Sequence, residues 1–458
     1  MRSVTRNISD VRASERWDFG YHDPAYLELL ESLDQHWPTI KFGNTITLLT
    51  DMGAFSLYKT EFFVDDGIPF LRVQNVQEHG VDLEKDTKYI SREYHEQLQK
   101  SQLAPGDLLL TTKAVIGVAA VVQDDLGDCN MSQNLVRIHV RDGINPHYLA
   151  VFLNSRCGRI QTETAATGPN QKYLNFERIR DLTITLPPRD VQDRIAQVMQ
   201  DAYATRRAKL TEAEALLAGI DGYVLEQLNI DFSQLQNQRT ALKPISAIIG
   251  GRFDFEAVVT AQEIKFNDAQ PVMLRQVVRQ VNDRVTPASE YPNRDVNYIS
   301  LANIASNAGE LVNFSPVKGS SVLSSSPKFK QDDILYGRMR PYLNKAWIAE
   351  FDGVCSGEAL VFRPNKEKVD VRFLHTLLLS RTTLAQIVPL QSGTSLPRVS
   401  ASDVLSIKLP IPKNLQRQTK IVEEIMRRRG RAKRLRAEAE SVVTEAKAQV
   451  ERMILGEE

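Results

Sequence analysis

Two kinds of hydrophobic pattern alternate along the chain. From about 41 to 188 and again from about 271 to 413, short β-branched and aromatic runs are broken by Gly, Pro, Asp and Asn, which predicts mostly strands with a few helices. Within these stretches Pro146 to Thr162 and Val371 to Ile387 carry apolar residues at three- and four-residue steps and are predicted helical. Each stretch closes on a short strand and a proline turn, Leu186-Pro187-Pro188 and Leu409-Pro410-Ile411-Pro412, and no proline occurs in the segment that follows. Those segments show narrow apolar seams at helical spacing. In the second the seam is Ile421, Ile425, Ala432, Leu435, Ala439, Val442, Ala446, Val450 and Met453; in the first, less regularly, it is Val191, Ile195, Val198, Ala202, Leu216, Ile220, Val224 and Leu228. A helix of about 35 to 40 residues is about 50 to 60 Å long and would leave such a seam wet if it stood alone. The predicted partner of each seam is the other helix.

The two halves repeat one another block by block. Arg16-Trp17-Asp18-Phe19 returns as Arg252-Phe253-Asp254-Phe255, and Pro69 to Val76 returns as Asn297 to Ile304, which sets Asn75 against Asn303. GDLLL at Gly106 to Leu110 returns as DDILY at Asp332 to Tyr336, and the run from Gly127 returns from Gly353, setting Cys129 against Cys355. Finally Leu182 to Pro188 returns as Leu405 to Pro412, each followed by a glutamine-containing turn into the long helix. Order kept over so many blocks predicts a tandem duplication. The expected boundaries are an N-terminal arm over 1–40, a first globular domain over 41–188, a first helix over 189–230, and a linker over 231–270. A second globular domain over 271–413 and a second helix over 414–458 complete the division. Gly219 and Gly222 weaken the first helix by about 1 kcal/mol each relative to alanine and raise the expectation of an end or bend there.

Composition sharpens this picture. The chain has 458 residues, 57 basic and 57 acidic, with 42% hydrophobic and 25% charged residues, which suits several globular domains. Neutrality is an average: residues 1–230 carry a net charge of −8 and residues 231–458 one of +8. No apolar run approaches the length of a membrane span and the start lacks a signal-peptide core, so a cytoplasmic protein is expected. Three cysteines without a CxxC pair and seven scattered histidines predict neither a disulfide framework nor a metal site. No GxxxxGK[ST] loop is present. Asp23-Pro24-Ala25-Tyr26 lacks the second proline of an amino-methyltransferase tetrad. Asp254 with Glu263-Ile264-Lys265 mimics a nuclease set whose repeat copy has no counterpart.

In the tandem halves, the GDLLLTT and DDILYGR runs, the LPP and LPIP strand ends, the turns Val191 to Ile195 and Gln418 to Ile421, and the helix after each, the sequence resembles the DNA-specificity subunit of type I restriction-modification systems. The resemblance runs from about Arg16 to the C-terminus. It implies an α+β fold with two tandem-duplicated target-recognition domains, each followed by a long helix, the helices pairing as an antiparallel coiled coil in a pseudo-two-fold dumbbell. It further implies that each domain reads one half of a split, asymmetric DNA site with the helices as a ruler. The expected partners are double-stranded DNA, two modification (methyltransferase) subunits and restriction (translocase and nuclease) subunits. S-adenosylmethionine, ATP and Mg are expected on those partners, with no cofactor and no catalysis in this chain. The alternatives are a cryptic methyltransferase or nuclease, or a coiled-coil adaptor that binds proteins.

Reading base edges calls for Arg or Lys at guanine and Asn or Gln at adenine. The richest candidate loop is Tyr336 to Lys345, with Arg338, Arg340, Tyr342, Asn344 and Lys345, against a plain solvated turn; its first-half counterpart offers Lys113. A second pair of loops offers Asn170, Gln171 and Lys172, and Thr394, Ser395 and Arg398. Arg72, Asn75 and Asn303 follow strands, where an amide that closes a turn explains the matched pair equally well. Seven cations between Arg427 and Arg436 suggest a phosphate track or a surface for an acidic partner.

Overall fold

A computed structural model describes residues 24–53, 62–168, 172–231, 264–267, 270–393 and 395–457. The blocks at Arg16 to Phe19 and Arg252 to Phe255, Asp23 of the proline tetrad and Glu263 therefore lie outside the described residues, as does most of the expected linker. The chain divides into two compact units, one formed by Met1–Thr211 with Leu435–Glu458 and the other by Glu212–Arg434. No helix among the described residues is long and apolar enough to cross a membrane.

In the first unit an antiparallel four-stranded sheet runs in the order Ile46–Thr50, Leu135–Val140, Leu108–Thr111, Ala119–Val121. A second sheet runs Lys88–Ile90, Ile68–Leu71, Cys129–Met131, Gln102–Leu103, with its two central strands parallel. The GDLLL run belongs to a strand covered on both faces, which is why it is apolar without alternation. Leu108 and Leu110 pack into the larger core with the helices, whereas Leu109 packs toward the second sheet. The strand before the LPP turn, Thr183–Thr185, pairs antiparallel with Thr39–Lys41 and so ties the end of the domain to its beginning.

The segment expected as one helix is two, Pro146–Asn154 and Arg156–Ala165. Asn145 caps the first by accepting from the His147 amide at 2.8 Å, and Pro146 takes the first helical position, where no amide donor is needed. Ser155 has extended backbone and caps the second helix through its hydroxyl. The tight corner requires Gly158, since a Cβ there would lie 2.3 Å from the carbonyl oxygen of Phe152. The second unit repeats the break, with helices Val371–Leu378 and Arg381–Ile387.

The second unit holds the same pair of sheets, Val278–Gln280, Ala359–Pro364, Ile334–Gly337, Ala346–Ile348 and Arg284–Val285, Ser326–Phe329, Gly353–Cys355, Tyr298–Ile299. Two differences stand out. The fourth strand of the smaller sheet joins opposite edges in the two units, beside Ile68–Leu71 in the first but beside Ser326–Phe329 in the second. The strand register also corrects the cysteine match. Leu71 pairs with Met131 and Ile299 with Cys355, so Cys355 corresponds to Met131 and not to Cys129. A shift of two residues keeps side chains on the same face of the pleat, so the hydrophobic pattern alone does not separate the two registers.

The long helices run Arg189–Gln227 and Leu415–Leu455, the first continuous through Gly219 and Gly222. Their starts are locked by matched glutamines. Gln192 donates to the Pro187 carbonyl at 2.8 Å and accepts from the Asn145 amide at 3.0 Å; Gln418 donates to the Pro412 carbonyl at 2.7 Å and accepts from the Asp370 amide at 2.8 Å. Within each unit the two helices are antiparallel. In the first unit Lys209 meets Glu438 and Arg206 meets Glu440; in the second, Arg428 reaches the Gly219 carbonyl and Arg417 that of Gln227. The expected seam is buried at Ile421, Ile425, Ala432, Leu435, Ala439, Ala446, Val450 and Met453, and at Val191, Ile195, Ala202, Val224 and Leu228. Each domain core takes in both helices: Ala446, Val450, Met453 and Ile454 join the first, Val224 and Leu228 the second.

Candidate nucleic-acid interface

The strand Leu108–Thr111 ends in a loop that returns through Val118, closed by the Gly117 amide on the Thr111 carbonyl and the Thr111 amide on the Val118 carbonyl, both at 2.9 Å. Ala114 in this loop has φ of 61°, the left-handed region that a Cβ disfavours. A second excursion stands beside it. Thr167 and Tyr173 exchange backbone hydrogen bonds across its neck, and the Leu174 amide donates to the Thr112 carbonyl at 3.0 Å.

The second unit builds the same pair of loops. Ser392 and Arg398 exchange backbone hydrogen bonds, the Val399 amide donates to the Arg338 carbonyl at 3.0 Å, and Arg340 takes the left-handed position with φ of 48°. The ladder contacts Lys113 with Tyr173 and Met339 with Arg398 are equivalent. Asn134 and Glu358 are equivalent too, since their carbonyls accept the amides of Thr112 and Arg338, each at 2.9 Å. The duplication therefore superimposes Arg338 on Thr112, Arg340 on Ala114 and Arg398 on Tyr173.

Both loop pairs hold large apolar side chains in water. Val115 is 58% and Tyr173 44% exposed in the first unit, and Tyr342 is 48% and Leu396 42% exposed in the second. Exposed apolar groups in equivalent loops, beside cations, mark a contact surface. The sequence signal for the first was available as Val115-Ile116, an apolar pair inside a loop between Lys113 and Gly117.

A family model described as the type I restriction modification DNA specificity domain matches residues 39–215 and again 268–431. The chain belongs to this family. It is 29% identical over 148 residues to the type I restriction enzyme EcoDI specificity subunit of Escherichia coli, a match spanning 32% of each chain. It is 24% identical over 309 residues to the MjaVIII specificity subunit of Methanocaldococcus jannaschii, covering 64% of this chain and 66% of that one. A chain from a solved structure concerned with complex assembly and conformational transition of the type I R-M system shares the fold, with a TM-score of 0.53 at 13% identity over 92% of this chain and 98% of that one.

In this specificity-domain chain the candidate contacts separate by what already holds them. Asn75 is fully buried: its carbonyl oxygen accepts the Arg72 amide at 2.9 Å, and its amide donates to Asp82, Lys85 and Thr87. Asn303 repeats this on Ser300 and the carbonyls of Val312 and Asn313. Both are clamps of a turn and not base readers. Asn344, expected to face DNA, is buried and donates to Asn307 and to the Leu379 carbonyl. Lys345 is likewise withdrawn, its ammonium bound to the Leu301 carbonyl at 2.6 Å. Arg72 is paired with Asp86 at 2.7 Å. Arg398 forms hydrogen bonds with both carboxylate oxygens of Glu358, at 2.9 to 3.1 Å, and this pairing holds the Glu358 carboxyl below its ordinary range. Asn170, Gln171 and Thr394 lie outside the described residues.

Six candidates keep their side chains available: Lys113 and Lys172 in the first unit, and Arg338, Arg340, Tyr342 and Ser395 in the second. No hydrogen bond or ion pair engages the side chains of Lys113, Lys172, Arg340 or Ser395 among the described residues, and the Arg338 Nε is shut from water without an acceptor. The cation run on the second helix is less open than its composition suggested. Arg427 and Arg428 share Glu424, Arg428 also lies over the Tyr223 ring at 4.5 Å, and Arg431 reaches Glu212 at 3.5 Å.

Proposed function

We propose that this chain is the DNA sequence-specificity subunit of a type I restriction-modification complex. It reads a bipartite, gapped, asymmetric site and directs adenine methylation or cleavage by partner subunits. The observation that carries this reading is the loop pair, built twice from equivalent hydrogen bonds and furnished each time with different exposed side chains. A duplicated scaffold with unlike tips suits two half-sites of unlike sequence. In the first unit Lys113 and Lys172 are the contacts, flanked by Val115 and Tyr173; in the second they are Arg338, Arg340, Tyr342 and Ser395.

Two modification subunits supply S-adenosylmethionine and the methyl transfer, and restriction subunits supply ATP-driven translocation, Mg and cleavage. This chain contributes recognition and no chemistry. Mapping of methylated adenine in the host genome tests the proposal. Deleting the gene erases one bipartite motif and re-expression restores it. A methylome unchanged by deletion refutes the reading, as does methyl transfer by the isolated chain.

A further inference from the structure

We infer that the second unit reads guanine in its half-site through the guanidinium groups of Arg340 and Arg338, and that the first unit carries no arginine at the equivalent positions. This rests on the specificity-subunit reading and goes further, since it assigns a base type to one half of the target.

At the three superimposed positions the first unit has Thr112, Ala114 and Tyr173, and the second has Arg338, Arg340 and Arg398. One of these arginines is already engaged. Arg398 is held on both carboxylate oxygens by Glu358, so it braces the loops together. Arg340 keeps its donors in reserve, its side chain exposed and unengaged among the described residues, whereas Arg338 is half-buried with its Nε enclosed and without an acceptor.

The mounting favours a base over a phosphate. The Arg340 amide donates to the Pro397 carbonyl at 2.7 Å, its backbone is held left-handed, and Pro341 fixes the next residue. Left-handed backbone at a residue with a Cβ costs about 1 to 2 kcal/mol and persists only where its surroundings enforce it. A long cation meant for the phosphate chain needs no such fixing, because a phosphate accepts from many directions. A guanine edge offers two acceptors, O6 and N7, in one plane, and a guanidinium fork matches them only when aimed. Tyr342 and Leu396 beside Arg340 are apolar and exposed, which suits the floor of a groove and the methyl of a neighbouring thymine. The first unit holds Ala114 left-handed too, but its methyl has nothing to donate. Its loop cations, Lys113 and Lys172, are point charges without a planar fork.

The test uses the full chain assembled with its modification subunits, acting on a duplex library randomised over the target. The wild-type complex is expected to require guanine at one or two positions of one half-site. Arg340→Ala is expected to lower discrimination at one of those positions by about ten- to a hundred-fold, leaving the other half-site unchanged. Arg340→Lys keeps the charge and loses the fork, so it is expected to relax the same position while retaining overall affinity. Arg338→Ala is expected to act on the same half-site. Uniform weakening across all duplexes by Arg340→Ala overturns the inference in favour of a phosphate contact, and relaxed preference in both half-sites overturns it too. A wild-type complex that methylates without sequence preference instead refutes the specificity-subunit reading itself, which keeps the two failures apart. Comparable circular dichroism and thermal midpoints for the variants separate recognition from folding.

Discussion

Asp333 accepts two hydrogen bonds from Arg363 on the neighbouring strand, at 2.6 and 2.7 Å, and a third from the Lys330 amide at 2.8 Å. Asp107 occupies the same place in the first unit, accepting from the Ala104 amide at 2.8 Å and standing 2.6 Å from His139. The shared aspartate of GDLLL and DDILY thus closes the turn before the strand in both units, but only in the second does an arginine hold it by two hydrogen bonds. Burial pushes the Asp107 carboxyl up, against the lowering effects of the Ala104 amide, His139 and Arg137. A raised value means that burial works against the ionised form, so stability contributed by this group is lost as pH rises through it. Asp333→Asn is expected to cost about 2 kcal/mol at pH 7.5, tempered by the exposed part of Arg363, and Asp107→Asn less than about 1 kcal/mol. Urea unfolding of the two variants measures the difference, and equal losses would contradict it.

His375 is buried against the Ala346 carbonyl, and burial lowers its pKa to about 4. The free imidazole titrates near 6.5. Between these values the unfolded chain takes up a proton that the folded second unit refuses. Stability is therefore present in full above about pH 6.5 and is lost as pH falls toward 4, by up to about 3 kcal/mol. His375→Gln keeps a donor for Ala346 and removes the titration. The urea midpoint of the variant is expected to change less between pH 7 and pH 4.5 than that of the wild type, and parallel curves would rule this group out as the source.

Gly158→Ala sets two effects against each other. Alanine favours a helix by about 1 kcal/mol over glycine, but its Cβ would meet Phe152 and Leu153 backbone at 2.3 to 2.5 Å. Overpacking against backbone is expected to win by about 1 to 3 kcal/mol. A lowered thermal midpoint is the expected outcome, and a raised one would mean that the corner relaxes freely.

Asn75→Ala and Asn303→Ala are expected to destabilise their units by about 1 to 3 kcal/mol, Asn75 the more because it is fully buried, while the methylated sequence stays the same. A changed motif in a stably folded variant would restore these asparagines as readers.

Those two residues also show where sequence reading stops. The duplication, the buried seam from Ile421 to Met453 and the loop pair were all legible, because periodicity and repetition leave marks in linear order. The use of an asparagine was not. Its amide offers the same donor and acceptor to adenine and to a turn, and only burial and the position of Ser300 or Arg72 decide. The engagement of Arg398 is hidden for a related reason: Glu358, which holds it, lies forty residues away across the fold. The helix break at Ser155 was hidden because three- and four-residue spacing continues through the corner, and the cysteine match failed by two residues because the pleat tolerates that shift.

The first unit is not a contiguous stretch of chain. Its core is finished by Ala446, Val450, Met453 and Ile454, its Trp37 donates to the Met453 carbonyl at 3.0 Å, and Glu451 accepts the Arg156 amide at 3.0 Å. During synthesis, the first unit therefore waits for residues made after the whole of the second, while the second unit, drawn from Glu212–Arg434, has all of its own segments earlier. A stop codon near residue 440 would strike hardest at the half of the protein already translated, leaving the reader nearer the lesion better folded than the one farthest from it in sequence.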